Sequence, residues 1–552
     1  MVTTLFRNGP VFDGHRYLDA VGGVLVVDGR IDRILAVGEE RPAADQVIDQ
    51  GGGLLTPGFV DAHVHAVQGG LERIRCDLSH LEDRQAYLDA IRAYADAHPD
   101  LPWILGGGWA MAAFPGGAPT AAELDTAVAD RPVFLPNRDH HGAWVNTAAM
   151  RLAGITADTL DPADGRLERD ADGVPNGTLH EGAMDLVSQL VPATGAAELE
   201  AALAEGQRYL HSVGVTGWQD AIIGDYAGVD DAGETYRAAA RSGALTADVV
   251  GALWWDRDRG LEQIPELVDK RATLSHGRFR ATSIKVMQDG VPENGTASMA
   301  EPYLDRCGHA THNRGHSFVD PAVLREAAPA LAAEGFQIHI HAIGDAAVAE
   351  ALDALAGAEA ACPGADLRHH IAHLQFVRPA DRERFGALGV AANVQSLWAC
   401  HDEEMTDLVI PQVGAERAGW QYPWAALVDS GARLVAGSDW PVSTPDPWQA
   451  LHVAVNRTDP TYGGEPLNPE QAIDLATALS AYTAGSAWVN HRDDAGRIAP
   501  GYVADLALHD RDPFAAATTE IAATRVVATW VGGTLVFSAD PTDPTHEGAT
   551  HG

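Results

Sequence analysis

Between residues 58 and 495 short apolar runs alternate with Ala- and Leu-rich helical text, and this alternation restricts the possible folds more than any other feature. Eight runs read as strands: FVDAHVHA (59–66), GVTGWQD (214–220), ALTADVVGALWW (244–255), TSIKVMQDG (282–290), FQIHIHAIGD (336–345), LRHHIAHLQ (367–375), GVAANVQS (389–396) and ARLVAGSDWPV (432–442). Several are followed by helical sequence such as DAAVAEALDALAGAEAA. Strand–helix units repeated in this way pair their strands in parallel, and eight parallel strands close a barrel. The expectation is an α/β chain built on a (β/α)₈ TIM barrel.

The rest of the chain is organised around that unit. Residues 1–57 carry apolar alternations punctuated by D-G and G-G pairs, the signals of β-hairpins. The far end repeats this style, with ADLALHD and RVVATWVGGTLVF. Two β-rich ends around an α/β middle predict one composite β-sandwich from residues 1–57 and 496–540. Gly501 and Asp505, in GRIAPGYVADL, read as turn and packing residues on the return into it. The gap between the first two barrel strands is too long for one helix, so residues 70–210 are expected to hold an inserted subdomain over the barrel mouth. The polar end, residues 541–552, reads as a flexible tail.

Side chains two apart on a strand share a face. His63 and His65 therefore point together into the barrel with Phe59 and Asp61, while Val60, Ala62 and Val64 pack outward. Two imidazoles near a strand's C-terminal end can chelate zinc or a similar ion. Alone, H-x-H is a weak signal, because two polar histidines at a strand end satisfy it equally well. The other strands strengthen it. His341 ends the inward face of FQIHIHAIGD, with His339 one layer deeper as a hydrogen-bonded core histidine. His373 closes LRHHIAHLQ on the face of His369, and His370, of opposite parity, reads as structural on the helix side. In ARLVAGSDWPV, Gly437 permits close approach and Asp439 projects at the strand end. An isolated S-D before a loop is most simply a turn or cap. Here it completes a series of polar residues ending separate strands at the mouth where barrel enzymes gather catalytic groups. Lys285 shares an inward face with Ser283 and Met287. A buried neutral lysine can react with carbon dioxide to give a carbamate bridging two metals, or it can pair with Asp289; the sequence leaves both open.

The inserted stretch supplies pocket candidates. Trp109 follows a triple glycine, His141 and Trp144 lie in DHHGAW, and Glu181 lies in LHEGAM. The competing reading places the tryptophans in the subdomain's own core. Gln219 and Asp220 are further pocket candidates.

Composition removes other classes of function. With 38 basic against 77 acidic side chains, the net charge of −39 repels phosphate backbones and anionic lipid, which argues against nucleic-acid and membrane partners. The four cysteines are scattered with no C-x-x-C pair, which predicts a reducing, cytoplasmic setting. The N-terminus has no secretory pattern and no apolar run reaches a membrane span. There is no G-x-S-x-G elbow and no Gly-rich phosphate loop. The expected partner is a small-molecule substrate, and a homodimer stays open.

TPGFVDAHVH, the strand-end histidines, GSDWPV and the late GRIAPGYVADL together resemble the amidohydrolase superfamily over nearly the whole chain. GTLHEGAMDL, HAIGDAAV, VNTAAMRLAGI and KVMQDG look closer to its amidohydrolase-3 type branch, which includes N-substituted formamide deformylase. The resemblance implies a (β/α)₈ barrel with a composite β-sandwich and a divalent metal, usually zinc, one or two per chain. It implies His63, His65, His341, His373 and Asp439 as ligands, Lys285 as the carboxylated lysine of binuclear members, and Asp439 as the catalytic acid–base group. The implied activity is metal-dependent hydrolysis of a non-peptide C–N bond. Ester, lactone or phosphoester hydrolysis on the same metals is the alternative, and a non-catalytic binding protein on a dead barrel would show a lost ligand. All five ligand positions are filled.

Overall fold

The computed structural model describes residues 2–226 and 228–540. The stretch 541–552, for which the sequence predicts a flexible tail, lies outside the described residues. The centre of the molecule is an eight-stranded sheet: β1 (Phe59–Val64), β2 (Val215–Ile223), β3 (Asp248–Trp254), β4 (Phe279–Met287), β5 (Gln337–Ala342), β6 (His370–His373), β7 (Ala391–Val394) and β8 (Leu434–Ala436). The strands neighbour one another in chain order and every pairing is parallel. Backbone hydrogen bonds join the two edges, Asp439 N–H to His63 O at 2.8 Å and His65 N–H to Trp440 O at 2.8 Å. The sheet is thereby closed into a (β/α)₈ TIM barrel.

Period-2 alternation explains why each strand forms and what it buries. Val60, Val64, Ile338, Ile340 and Ile371 are buried on the outer face, under the helical layer. Each such aliphatic side chain taken out of water contributes roughly 1.5–3 kcal/mol. The helices opposite present small residues: Asp345–Ala361 packs against Pro321–Ala333 with an Ala- and Leu-rich buried face. Inside the barrel the floor is polar. Gln219, Gln337, His339, His370 and Asn393 are all buried, and each is hydrogen-bonded to another member or to nearby backbone, as buried polar groups must be.

Both chain ends contribute strands to a six-stranded sheet that adjoins a four-stranded one formed near the N-terminus. Phe6, Val24, Val26, Leu506, Leu508 and Trp530 share one core, with Phe6 set edge-on to Trp530 at 5.0 Å. The hairpin Gly23–Val27/Arg30–Leu35 turns on Asp28 and Gly29, both at positive φ, as a two-residue hairpin turn demands. Between β1 and β2 a further six-stranded sheet runs from Cys76 to Glu181 and forms the body of the insertion. No described helix is long and apolar enough to cross a membrane.

Candidate metal centre

The closed edge of the barrel sets the first three ligand candidates side by side. Asp439 Oδ1 lies 3.1 Å from His63 Nε2 and 3.0 Å from His65 Nε2. One ligand atom from each of the three residues falls within 4.8 Å of the others. Two features of the sequence make this approach possible. Asp61, on the inward face of β1, accepts hydrogen bonds from the Ser438 backbone and hydroxyl and from the His63 N–H, tying β1 to the segment after β8. Gly437 passes so near β1 that a Cβ there would sit 2.6 Å from His63 N and 2.7 Å from His63 Cβ. Gly437→Ala is therefore expected to destabilise the protein by about 1–3 kcal/mol, read as a fall in thermal midpoint, and to lower metal content by moving His63. An unchanged midpoint and metal content would show that β1 and β8 need no such close approach.

His341 and His373 complete the ring of imidazoles. Ring centroids are 4.3 Å apart for His341–His373 and 4.7 Å for His63–His373. His373 Nδ1 is 3.9 Å from Asp439 Oδ2. Strand parity misplaces one neighbour here. His370 was expected on the helix side, but its ring faces the barrel interior, 4.0 Å from that of His339. His370 and His373 both point inward although they are three residues apart. His373 adopts φ 79° and Leu374 φ 52°, so the chain leaves the extended conformation at His373 and the period-2 rule lapses there.

A second layer orients the first. His339 Nε2 lies 2.9 Å from His63 Nδ1, and His339 Nδ1 lies 2.6 Å from Gln219 Oε1, which also takes a contact from His370 Nε2 at 3.1 Å. The Gln219 amide NH₂ donates to Gln337 and Asn490, so its Oε1 must accept from both histidines. That fixes N–H on His339 Nδ1, leaves His339 Nε2 to accept from His63 Nδ1–H, and turns the lone pair of His63 Nε2 toward Asp439. Gln219 is thus part of the barrel floor and not of the pocket, contrary to the sequence expectation. Asp220 is likewise buried away from the pocket, accepting a hydrogen bond from the Tyr236 hydroxyl at 2.6 Å. Both sit on β2 below the mouth, where side chains pack into barrel layers.

Lys285 is 3% exposed, and its Nζ lies 3.2 Å from His63 Nε2. It does not pair with Asp289, which instead accepts the backbone N–H groups of Ser298, Ile343 and Gly344. Burial lowers the Lys285 ammonium to about 7 and the His63 imidazolium to about 3, and holds those of His341 and His373 well below their usual range. The imidazoles are accordingly neutral, the form that ligates metal. Burial pushes Asp439 the other way, but the adjoining His63, with His65 and His373 beside it, holds its carboxyl well below the ordinary carboxylate range.

These residues fit a divalent cation. His65 Nδ1, His341 Nε2, His373 Nδ1 and Asp439 Oδ1 are all buried without a hydrogen-bond partner. Unpartnered buried polar atoms are uncommon, and the ligand atoms of His63, His65 and Asp439, all within 4.8 Å of one another, are the donor types of a transition-metal site.

The cluster lies at the base of a cavity of about 1220 Å³. His63, His65, Lys285, His341, His373 and Asp439 all line it, as does His141. Three other pocket candidates do not. Trp109 and Trp144 are wholly buried in the insertion's core with Phe114, and their indole N–H groups donate to Leu135 O and Thr120 O. Large aromatics with a backbone partner for their one donor are most stable there. Glu181 sits behind His141, its side chain 2% exposed, and does not reach the cavity. Residues that the sequence reading passed over do line it. Trp398 stacks on His373 at 5.3 Å, and His140 bridges Gln68 and Glu72 at 2.8 and 3.0 Å. The doubled His in DHHGAW was the one available signal for His140; Trp398 lies in a 3₁₀ turn after β7, with no periodicity to mark it.

Comparison with known proteins agrees with this geometry. The family model described as "Amidohydrolase family" matches residues 46–537. The chain is 29% identical to protein LONG AFTER FAR-RED 3 of Arabidopsis thaliana, covering 97% of this chain and 91% of that protein. It is 28% identical to N-substituted formamide deformylase of Arthrobacter pascens, covering 93% and 94%. A metal-dependent hydrolase of Pyrococcus furiosus superposes with a TM-score of 0.68 at 25% identity, covering 93% of this chain and 99% of that one.

Proposed function

Because the chain belongs to the amidohydrolase family and superposes on a metal-dependent hydrolase, we propose that it hydrolyses a carbon–nitrogen bond other than a peptide bond, in an amide, formamide or related small molecule. The observation that carries this reading is the meeting of His63, His65 and Asp439, with His341 and His373 beside them, at the base of one cavity. The similarity to a formamide deformylase along almost the whole chain supports the C–N bond as the target. These five residues would hold the ion, and zinc suits a set of imidazoles with one carboxylate. When bound, the ion supplies Lewis acidity and lowers the pKa of water from about 15.7 to about 7.

The chain's own groups do the rest. Asp439 is a carboxylate at the barrel edge with Oδ1 free of hydrogen bonds. It accepts a proton from the attacking water and returns it to the leaving nitrogen, which departs as a neutral amine. His63 is held in place by His339 and Gln219, so the geometry around Asp439 does not have to be organised anew in each cycle. With its free cysteines the protein suits a reducing cytoplasm.

The test is a panel of N-formyl and N-acyl amines beside aryl esters, lactones and phosphoesters, run on zinc-loaded protein. The reading expects kcat/KM for at least one amide or formamide to exceed that of every ester by tenfold or more. Preference for an ester or phosphoester would overturn the C–N assignment.

Lys285 decides between one metal and two. Its Nζ faces His63 and has no carboxylate partner among the described residues. Its neutral amine can add to carbon dioxide, forming a carbamate and releasing one proton, and that anion would offer a ligand for a second ion. Lys285→Ala is expected to remove about half of the bound metal and most of the rate, with weak rescue by small carboxylic acids, which lack the advantage of tethering. Fully active protein with unmodified Lys285 by intact mass and one metal per chain would leave a mononuclear site.

A further inference from the structure

The insertion contributes one ionisable side chain that is aimed at the metal cluster and is explained by nothing in the subdomain's own packing. His141 lines the cavity, and its ring centroid lies 5.7 Å from that of His341 on β5. Its other side is fully engaged. His141 Nδ1 lies 3.0 and 3.1 Å from the two carboxylate oxygens of Glu181, so Nδ1–H is donated there and Nε2 is the atom left for the cavity. Glu181 Oε1 also accepts the Thr296 hydroxyl at 2.6 Å, and Thr296 belongs to the loop that follows β4 of the barrel. Asp139 accepts the His141 backbone N–H at 2.8 Å, and His141 O accepts the Glu181 N–H at 3.0 Å. His141 is thus fixed from its own turn, from the neighbouring strand Pro175–Glu181 and, through Glu181, from the barrel.

This arrangement carries a structural cost that the subdomain's core does not require. Glu181 is a non-glycine residue at φ 51°, ψ −129°, a conformation that costs on the order of 1–3 kcal/mol. It also needs Gly290 in the loop just after β4, where any Cβ would collide with Glu181 Oε1 and the Thr296 hydroxyl. Glu181 has its side chain 2% exposed, and burying a carboxylate is unfavourable unless a partner compensates it. A core that needed only stability would place an apolar residue at 181. The strain, the glycine and the buried charge all serve to hold one imidazole at the cavity wall.

We propose that His141 is a catalytic hydrogen-bond donor supplied by the insertion, which contacts the scissile carbonyl oxygen and stabilises the negative charge that builds there, and that Glu181 is its positioning residue. The proposal rests on the hydrolase reading above and adds a group from outside the barrel to it. His141 keeps its proton throughout the cycle, and the Glu181 carboxylate compensates its charge. An ion held by the barrel residues would supply Lewis acidity, and His141 would meet the carbonyl oxygen from the insertion side, so the insertion is a working part of the site as well as its cover. Electrostatic donors of this kind act where charge develops in the transition state, and removing one costs about 10²–10³ in kcat.

The test uses zinc-loaded full-length protein with two readouts. On a responsive amide or formamide, His141→Ala is expected to lose about 10²–10³-fold in kcat with KM within threefold and metal content unchanged, and added imidazole should restore part of the rate. Glu181→Gln, which keeps a hydrogen-bond acceptor for Nδ1–H but removes the charge, should lose roughly tenfold or more in kcat, and the double variant little beyond His141→Ala, as expected of residues acting as one unit. The second readout needs no turnover. An alkyl phosphonate monoester, which presents a tetrahedral anionic centre, should bind His141→Ala at least about fiftyfold more weakly than wild type by calorimetry. Loss of metal from His141→Ala would make His141 a ligand and overturn the proposal. So would unchanged phosphonate affinity, or an effect on KM alone. Phosphonate binding that depends on His141 in a protein inactive on every amide would keep the donor and remove only the C–N assignment.

Discussion

Protein freed of divalent metal by chelation is expected to lose hydrolytic activity by roughly a thousandfold or more, and to regain it with zinc, manganese or cobalt. The figure follows from about four kcal/mol of transition-state stabilisation by a Lewis-acidic ion at about 1.4 kcal/mol per tenfold. The reason lies in the buried donor set. Burial keeps the His63, His341 and His373 imidazoles neutral, and Asp439 is held as a carboxylate, so four ligating groups are deprotonated without any input of alkali. Stability should move with activity: an ion at a thousand times its dissociation constant stabilises the folded state by about 4 kcal/mol. Metal-free protein should therefore melt several degrees lower in a thermal scan. Full turnover in protein shown by elemental analysis to be metal-free would end the metal-dependent reading for this chain.

Asp439→Asn should be the most damaging single conservative change. Asparagine nearly matches aspartate in shape, so Ser438, Gly437 and the β1 contacts can stay in place. It cannot accept a proton from water, however, and its amide is a poorer neighbour for His63 and His65 than the carboxylate at 3.1 and 3.0 Å. Loss of a general base accounts for about 10²–10⁴-fold in rate. We expect kcat to fall by at least a thousandfold, with far-UV circular dichroism unchanged and at least half the metal retained on the four imidazoles. Turnover near the wild-type rate would show that Asp439 is not the proton acceptor. Complete loss of metal would show that its main part is ligation.

How much of this was legible beforehand depends on the range of the interactions involved. The eight barrel strands could be read because each is a short apolar run whose alternation follows from local stereochemistry. The same alternation placed His63 and His65 together, put His339 below His341, and identified Gly437 as a point of close approach. It failed at His370, because the left-handed conformation of His373 breaks the period. It was uninformative for Trp109 and Trp144, since an aromatic after a glycine turn can face a pocket or a core. The insertion's own packing chose the core, where each indole N–H finds a backbone carbonyl.

The sequence by itself determined the barrel, its polar strand ends and the kinds of residue able to hold a metal, because strand periodicity and residue chemistry act over a few positions. The tertiary structure alone decided which of those residues meet. Asp439 reaches His63 because a backbone hydrogen bond closes the barrel edge across 376 residues, from Asp439 N–H to His63 O. Lys285 faces His63 and leaves Asp289 to backbone donors because strand register sets the one inside and the loop after β5 encloses the other. His141 reaches the cavity wall because Glu181 and Thr296, 115 residues apart in the chain, are hydrogen-bonded behind it. Such contacts are fixed by how whole elements pack, and no local pattern in the chain encodes them.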